Sequence, residues 1–170
     1  MTTLSKKVCL LGDFAVGKTS LVRRFVYDRY DDKYISTIGV KVSRKTVTFL
    51  QNRQIINMTM MLWDLAGSEE FNQVRASYLK GAAGAVLVCD LTRAETLASV
   101  KKYIENFSNN RAAKFVLAAN KYDLPDQYEL TPARVEDTAT ELGIPFCLTS
   151  AKTGQEVETL FSRLAQLLVT

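Results

Sequence analysis

The chain has 170 residues, 47% of them hydrophobic and 24% charged, with a formal net charge of +4 and no histidine. That length predicts one domain over residues 1–170, and the missing imidazole excludes Ser-His and Cys-His nucleophile arrangements and the commonest general base. Lys and Arg are scattered, without the basic runs and interleaved aromatics of nucleic-acid binders, and no apolar stretch is long enough to span a bilayer. A soluble protein without a nucleic-acid partner is expected.

In chain order, Met1 to Lys7 carries neither a signal-peptide apolar region nor a glycine after Met1, so the cytoplasm is the expected compartment. Val8 to Leu11 reads as a buried strand, and Gly12-Asp13-Phe14-Ala15-Val16-Gly17-Lys18-Thr19 follows it at once. This run fits G-x-x-x-x-G-K-[ST], a phosphate-binding loop: glycines let successive N–H groups turn inward around phosphates, Lys18 adds a point charge, and the Thr19 hydroxyl can coordinate Mg²⁺. Ala15, Val16, Gly17, Lys18, Thr19 and Ser20 are the phosphate-side candidates. The helix opening there, with Leu21, Val22, Phe25 and Val26 on one face, adds its positive dipole end.

Val40 to Phe49 and Ile55 to Leu62 flank Gln51-Asn52-Arg53-Gln54 and read as a hairpin that contributes one antiparallel edge strand. Lys41, Arg44 and Lys45 on its first strand form either a solvated face or a surface for an acidic partner. The apolar runs Ala85 to Leu91, Phe115 to Ala119 and Pro145 to Leu148 complete a mostly parallel, six-stranded sheet. Between and after them, helical stripes fall at Leu97, Val100, Ile104 and Phe107, at Val135, Ala139 and Leu142, and at Val157, Leu160, Phe161, Leu164 and Leu168. Thr131-Pro132 reads as an N-cap with proline in the first turn, and Gly143 as the terminator. The predicted class is α/β with helices on both faces. Cys9, Cys89 and Cys147 each sit inside an apolar run and read as buried free thiols.

Open α/β sheets bind ligands beyond the carboxyl ends of their parallel strands, and this chain places polar motifs there in order. Asp64, after Met60-Met61-Leu62-Trp63, either holds a Mg²⁺-bound water beside Thr19 or caps a helix. Asn120-Lys121-Tyr122-Asp123 puts a carboxylate where it can accept from the two N–H donors of guanine's Watson–Crick edge, donors that adenine lacks in that arrangement. Ser150-Ala151-Lys152 follows the last run.

The ordered set resembles the motifs of Ras-superfamily small GTPases, most of all those of the Rab branch, a bacterial relative included, over essentially the whole chain. The resemblance implies a P-loop G domain that binds GTP and GDP with Mg²⁺, hydrolyses GTP, and meets effector and regulator proteins through two switch segments, as a monomer. It implies that Thr37, in Tyr34-Ile35-Ser36-Thr37-Ile38-Gly39, ligates Mg²⁺ and senses the γ-phosphate, and that Gly67 meets that phosphate with its N–H. It further implies that Tyr30 packs against the guanine edge and that Ser150, Ala151 and Lys152 close over the base. Lys18, Thr37 and Gly67 are thereby the catalytic candidates.

Three departures stand out. Ser68 occupies the position of the glutamine that orients the attacking water, and serine is too short for that task. Phe14 places a benzyl group in the phosphate loop where the family has small residues, in the path of an incoming arginine finger. Both predict slow hydrolysis. The end at Leu167-Leu168-Val169-Thr170 carries no terminal cysteines, so no lipid anchor is encoded here. The rival reading is a nucleotide-loaded scaffold for which hydrolysis is irrelevant. A metabolic phosphate-loop kinase would need an arginine-rich lid, and no such insertion is visible.

Overall fold

The apolar run at Val8–Leu11 is the inner half of a longer strand. In the computed structural model, which describes residues 1–33, 39–65, 75–107 and 110–170, β1 runs Thr2–Gly12 and alternates between exposed and partly buried before it becomes fully buried. Pairing explains the change. β1 lies parallel to β3 (Gln54–Leu65) from Thr2↔Ile56 onward, but meets β4 (Gly84–Asp90) only from Val8↔Gly84. A stretch with neighbours on both edges and helices on both faces has no side for water, so alternation gives way to an unbroken apolar run.

The remaining elements are α1 (Lys18–Tyr27), β2 (Val40–Gln51), α2 (Arg75–Leu79), α3 (Glu95–Ala98), α4 (Val100–Glu105), β5 (Lys114–Asn120), α5 (Pro132–Leu142), β6 (Phe146–Leu148) and α6 (Val157–Leu167). The six strands stand in the order β2-β3-β1-β4-β5-β6, all parallel except β2, which pairs antiparallel with β3. The expected hairpin therefore forms the edge. Its two-residue turn puts Asn52 and Arg53 at φ 51° and 63°, the twist that suits antiparallel strands.

The core divides by face. Leu21, Val22 and Phe25 of α1 and Leu160, Phe161 and Leu164 of α6 pack with Val8, Leu10, Met60 and Val86 on one side. Leu97, Val100 and Tyr103 pack with Val135, Ala139, Cys9 and Leu87 on the other. Helices thus cover both faces, as the stripes predicted. The 97–107 stripe differs in one respect: it forms two short helices that meet at Ser99, whose backbone stays helical while its hydroxyl turns to a partner outside the element. Thr131 caps α5 by accepting the Arg134 N–H at 3.2 Å, Pro132 stands in the first turn, and Gly143 ends the helix at φ 67°. The Lys45 ammonium bonds the Phe25 carbonyl at 2.6 Å and Glu158 at 3.2 Å.

The three cysteines are buried and free, and burial pushes the Cys9 and Cys89 thiols up to about 12. Phe25 and Phe161 stack across the α1–α6 contact with ring centres 4.0 Å apart, both essentially without solvent exposure. Phe161→Ala is expected to cost about 3–5 kcal/mol, because the lost ring leaves a cavity that rigid helices cannot close. Urea denaturation of the two proteins checks this, and a midpoint unchanged by the substitution contradicts it.

Candidate functional site

The chain leaves β1 for β3 on one side and β4 on the other, so the sheet opens a crevice beyond the carboxyl end of β1. The phosphate loop fills that position. Its first glycine is required by close approach: a Cβ on Gly12 would stand 2.5 Å from the Val88 carbonyl oxygen. Gly17 is required twice over, since its φ is 104° and a Cβ would fall 2.3 Å from Asn120 Nδ2. Ala15 also takes a left-handed conformation, at φ 62°. Lys18, 7% exposed, donates from Nζ to the Gly12 and Asp13 carbonyls at 2.9 and 3.0 Å, which folds the loop over its ammonium. The N-terminus of α1 has no side-chain cap and no acidic residue in its first turn. Backbone donors and helix dipole are thus directed at the loop, an arrangement that suits an anion.

Asp64 lies within β3 and is not a helix cap. One carboxylate oxygen accepts the Thr19 hydroxyl at 2.5 Å, while the other is buried and has no hydrogen-bond partner among the described residues. Burial raises the carboxyl above its usual value, and the Thr19 hydrogen bond with the charges of Lys18, Lys41 and Arg23 pulls the other way. A buried carboxylate oxygen with no donor, beside a hydroxyl, fits a Mg²⁺ held partly through water. That cation takes one or two carboxylates plus ligand phosphates, so a cage of three or more acidic, Cys or His ligands is not required, and none occurs among the described residues.

The opposite end of the crevice is built around Asn120. Its Nδ2 donates to the Val16 carbonyl at 3.0 Å, and its Oδ1 accepts from Thr149 Oγ1 at 3.2 Å and from the Ala151 N–H at 3.3 Å. Asn120 is therefore the knot between three loops. Ser150, fully buried, donates at 2.8 Å to Asp123 Oδ1 and fixes the rotation of that carboxylate. Lys121, at φ 67°, pairs its ammonium with the buried Asp90 at 2.7 Å. Tyr30 is 40% exposed; its phenol is raised by burial and then by Asp32, Asp123 and Asp31, so it lies within electrostatic reach of Asp123. Lys152 is exposed, and its carbonyl and that of Ala151 accept from the Arg24 guanidinium of α1.

Among the sequence candidates, hydrogen bonds join Val16 to Asn120, Asn120 to Ala151, Asp123 to Ser150 and Thr19 to Asp64, with Tyr30 within electrostatic reach of Asp123. Thr37, Gly67 and Ser68 lie outside the described residues. Phe14 does not, and stands 49% exposed. Four residues went unnoticed in the sequence: Asp13, Arg24, Asp90 and Thr149. Asp90 had a signal, an acid ending the apolar run of β4; the others show their roles only through partners far along the chain.

A phosphate loop after the central strand, this strand order and one antiparallel edge define the G domain of a P-loop GTPase. The Ras family model matches residues 7–170, and the chain belongs to that family. Ras-family proteins are GTP-binding switch GTPases that take GTP or GDP, typically with Mg²⁺, and work with regulators and effectors. No helix among the described residues is long and apolar enough to cross a membrane.

Proposed function

We propose that residues 1–170 form a single guanine-nucleotide switch domain, Rab-like and acting as a cytoplasmic monomer, that hydrolyses GTP slowly. The observation that carries this reading is the hydrogen bond from Asn120 to the Val16 carbonyl, which joins the guanine-edge motif to the phosphate loop in one crevice. Ala15 to Ser20 would take the phosphates through their backbone N–H groups and Lys18. Asp123, held by Ser150, would accept from the base; Asn120, Lys121, Tyr30, Ala151 and Lys152 would flank it. Mg²⁺, when bound through Thr19, Thr37 and water on Asp64, supplies charge compensation for the phosphates. Thr37 and Gly67 would sense the γ-phosphate and order the switch segments that effectors and regulators meet.

Slow turnover rests on two residues. Ser68 lacks the reach to orient a water, and the exposed Phe14 ring crowds the approach of a partner's arginine, a group that contributes about 10³ to 10⁵ in rate. The same two residues favour a second reading, a scaffold that stays loaded with nucleotide. The two differ in partner affinity, which changes between GTP analogue and GDP for a switch and not for a scaffold.

Single-turnover hydrolysis by wild type and Ser68→Gln tests the rate: the substitution is expected to accelerate hydrolysis by about a hundredfold or more, the size typical of one positioned catalytic group. A fast wild type indifferent to the change contradicts the proposal. Chromatography of nucleotide extracted from the purified protein is expected to show GTP, and adenine nucleotide there would refute the base assignment.

A further inference from the structure

A carboxylate in a loop built to hold phosphates repels its own ligand unless something turns it away. Asp13 is such a residue, and both of its oxygens are engaged on the outer side of the loop. Tyr103 donates its hydroxyl to Oδ1 at 2.8 Å, and Ser99 donates its own to Oδ2 at 2.7 Å. Next to it, Arg93 Nη1 donates to the Phe14 carbonyl at 2.7 Å, with its Nε on Glu95 at 3.2 Å. Three donors from the segment 93–103 therefore grip two consecutive loop residues.

These donors are anchored. Tyr103 is 7% exposed and packs in the core cluster with Leu97, Val100 and Leu87, and the Ser99 backbone N–H donates to the Glu95 carbonyl at 3.3 Å. On the inner side, Lys18 holds the Gly12 and Asp13 carbonyls and Asn120 holds that of Val16. The outer grip thus completes a frame around the loop, and its two hydroxyl donors orient the Asp13 charge without neutralising it.

We propose that Asp13 is a positioning residue: latched by Ser99 and Tyr103, it fixes the phosphate loop to the α3–α4 segment and sets how long the nucleotide stays bound. This rests on the nucleotide-binding reading above. Breaking the latch has two effects of one sign, because the loop loses its outer support and a released carboxylate swings toward the phosphates.

Release of a fluorescent GDP analogue, chased by excess GDP in Mg²⁺, measures the effect. Tyr103→Phe keeps the ring and its packing and is expected to speed release by about tenfold, as is Ser99→Ala, since hydrogen bonds to a charged acceptor are each worth that much. Ser99→Thr retains the hydroxyl and is expected to restore the wild-type rate. In the Asp13→Ala background the Tyr103→Phe change is expected to add nothing, the signature of one coupled unit. Unchanged or slower release in Tyr103→Phe and Ser99→Ala, or effects that add fully with Asp13→Ala, overturn the proposal while the nucleotide reading stands. A wild type that binds no guanine nucleotide overturns both.

Discussion

Gly17→Ala removes tight nucleotide binding and lowers the melting temperature together. The new methyl group would sit 2.3 Å from Asn120 Nδ2 on a backbone at φ 104°, so either the left-handed turn or the Asn120 amide has to give. The strained turn costs about 1–3 kcal/mol in a residue with a Cβ. Displacing the amide breaks the bond to Val16 and leaves a buried polar group without its partner, a further 1–3 kcal/mol or so. The sum, about 2–6 kcal/mol, corresponds to a fall of roughly 5–20 °C for a domain of this size. Because the same loop carries the phosphate donors, GDP affinity is expected to fall at least about a hundredfold. Calorimetric melting and GDP titration check both halves; a variant that melts and binds like the wild type contradicts the geometry.

Asp123→Asn is expected to abolish the preference for guanine while the fold persists. The asparagine keeps an oxygen for the Ser150 hydroxyl, so the local hydrogen bond survives. Its amide, however, presents a donor where guanine presents donors, and a mismatched polar pair of this kind loses about 10⁴-fold in discrimination. A base with a carbonyl in place of guanine's exocyclic amine meets the new amide well. Competition between GDP and xanthosine diphosphate is therefore expected to reverse between wild type and variant. Equal GDP affinity in the two proteins would remove Asp123 from base recognition.

How much of this was legible in the sequence depends on the range of the interaction. The phosphate loop, the hairpin around Asn52-Arg53 and the Thr131-Pro132 start of α5 are local devices, each written in a few adjacent residues, and the structure bears them out. The six strands and the antiparallel edge followed from the pattern of runs. The role of Ser99 did not, because its partner is a carboxylate in the phosphate loop. Tyr103 stands three residues beyond Val100 and could have joined the apolar stripe, but its hydroxyl partner lay out of sight. Arg24 reads as one more charge on an amphipathic helix until the Ala151 and Lys152 carbonyls meet it. Lys121 likewise shows its ion pair only once β4 and β5 are side by side. The motifs at the strand ends were readable; the long-range bonds that hold them together were not.

The Asn120–Val16 and Arg24–Ala151 bonds have a consequence for synthesis. Their partners stand 104 and 127 positions apart, so the phosphate loop, among the first segments to leave the ribosome, lacks its supports until nearly the whole chain has emerged. Parallel pairing of β1 with β3 and β4 is deferred in the same way, a topology that folds slowly. A nascent chain stalled before Ser150 would therefore hold all six strands but lack α6 over one face and the Ala151 N–H that Asn120 accepts. A ligand that binds only the completed crevice would stabilise finished chains over unfinished ones by mass action.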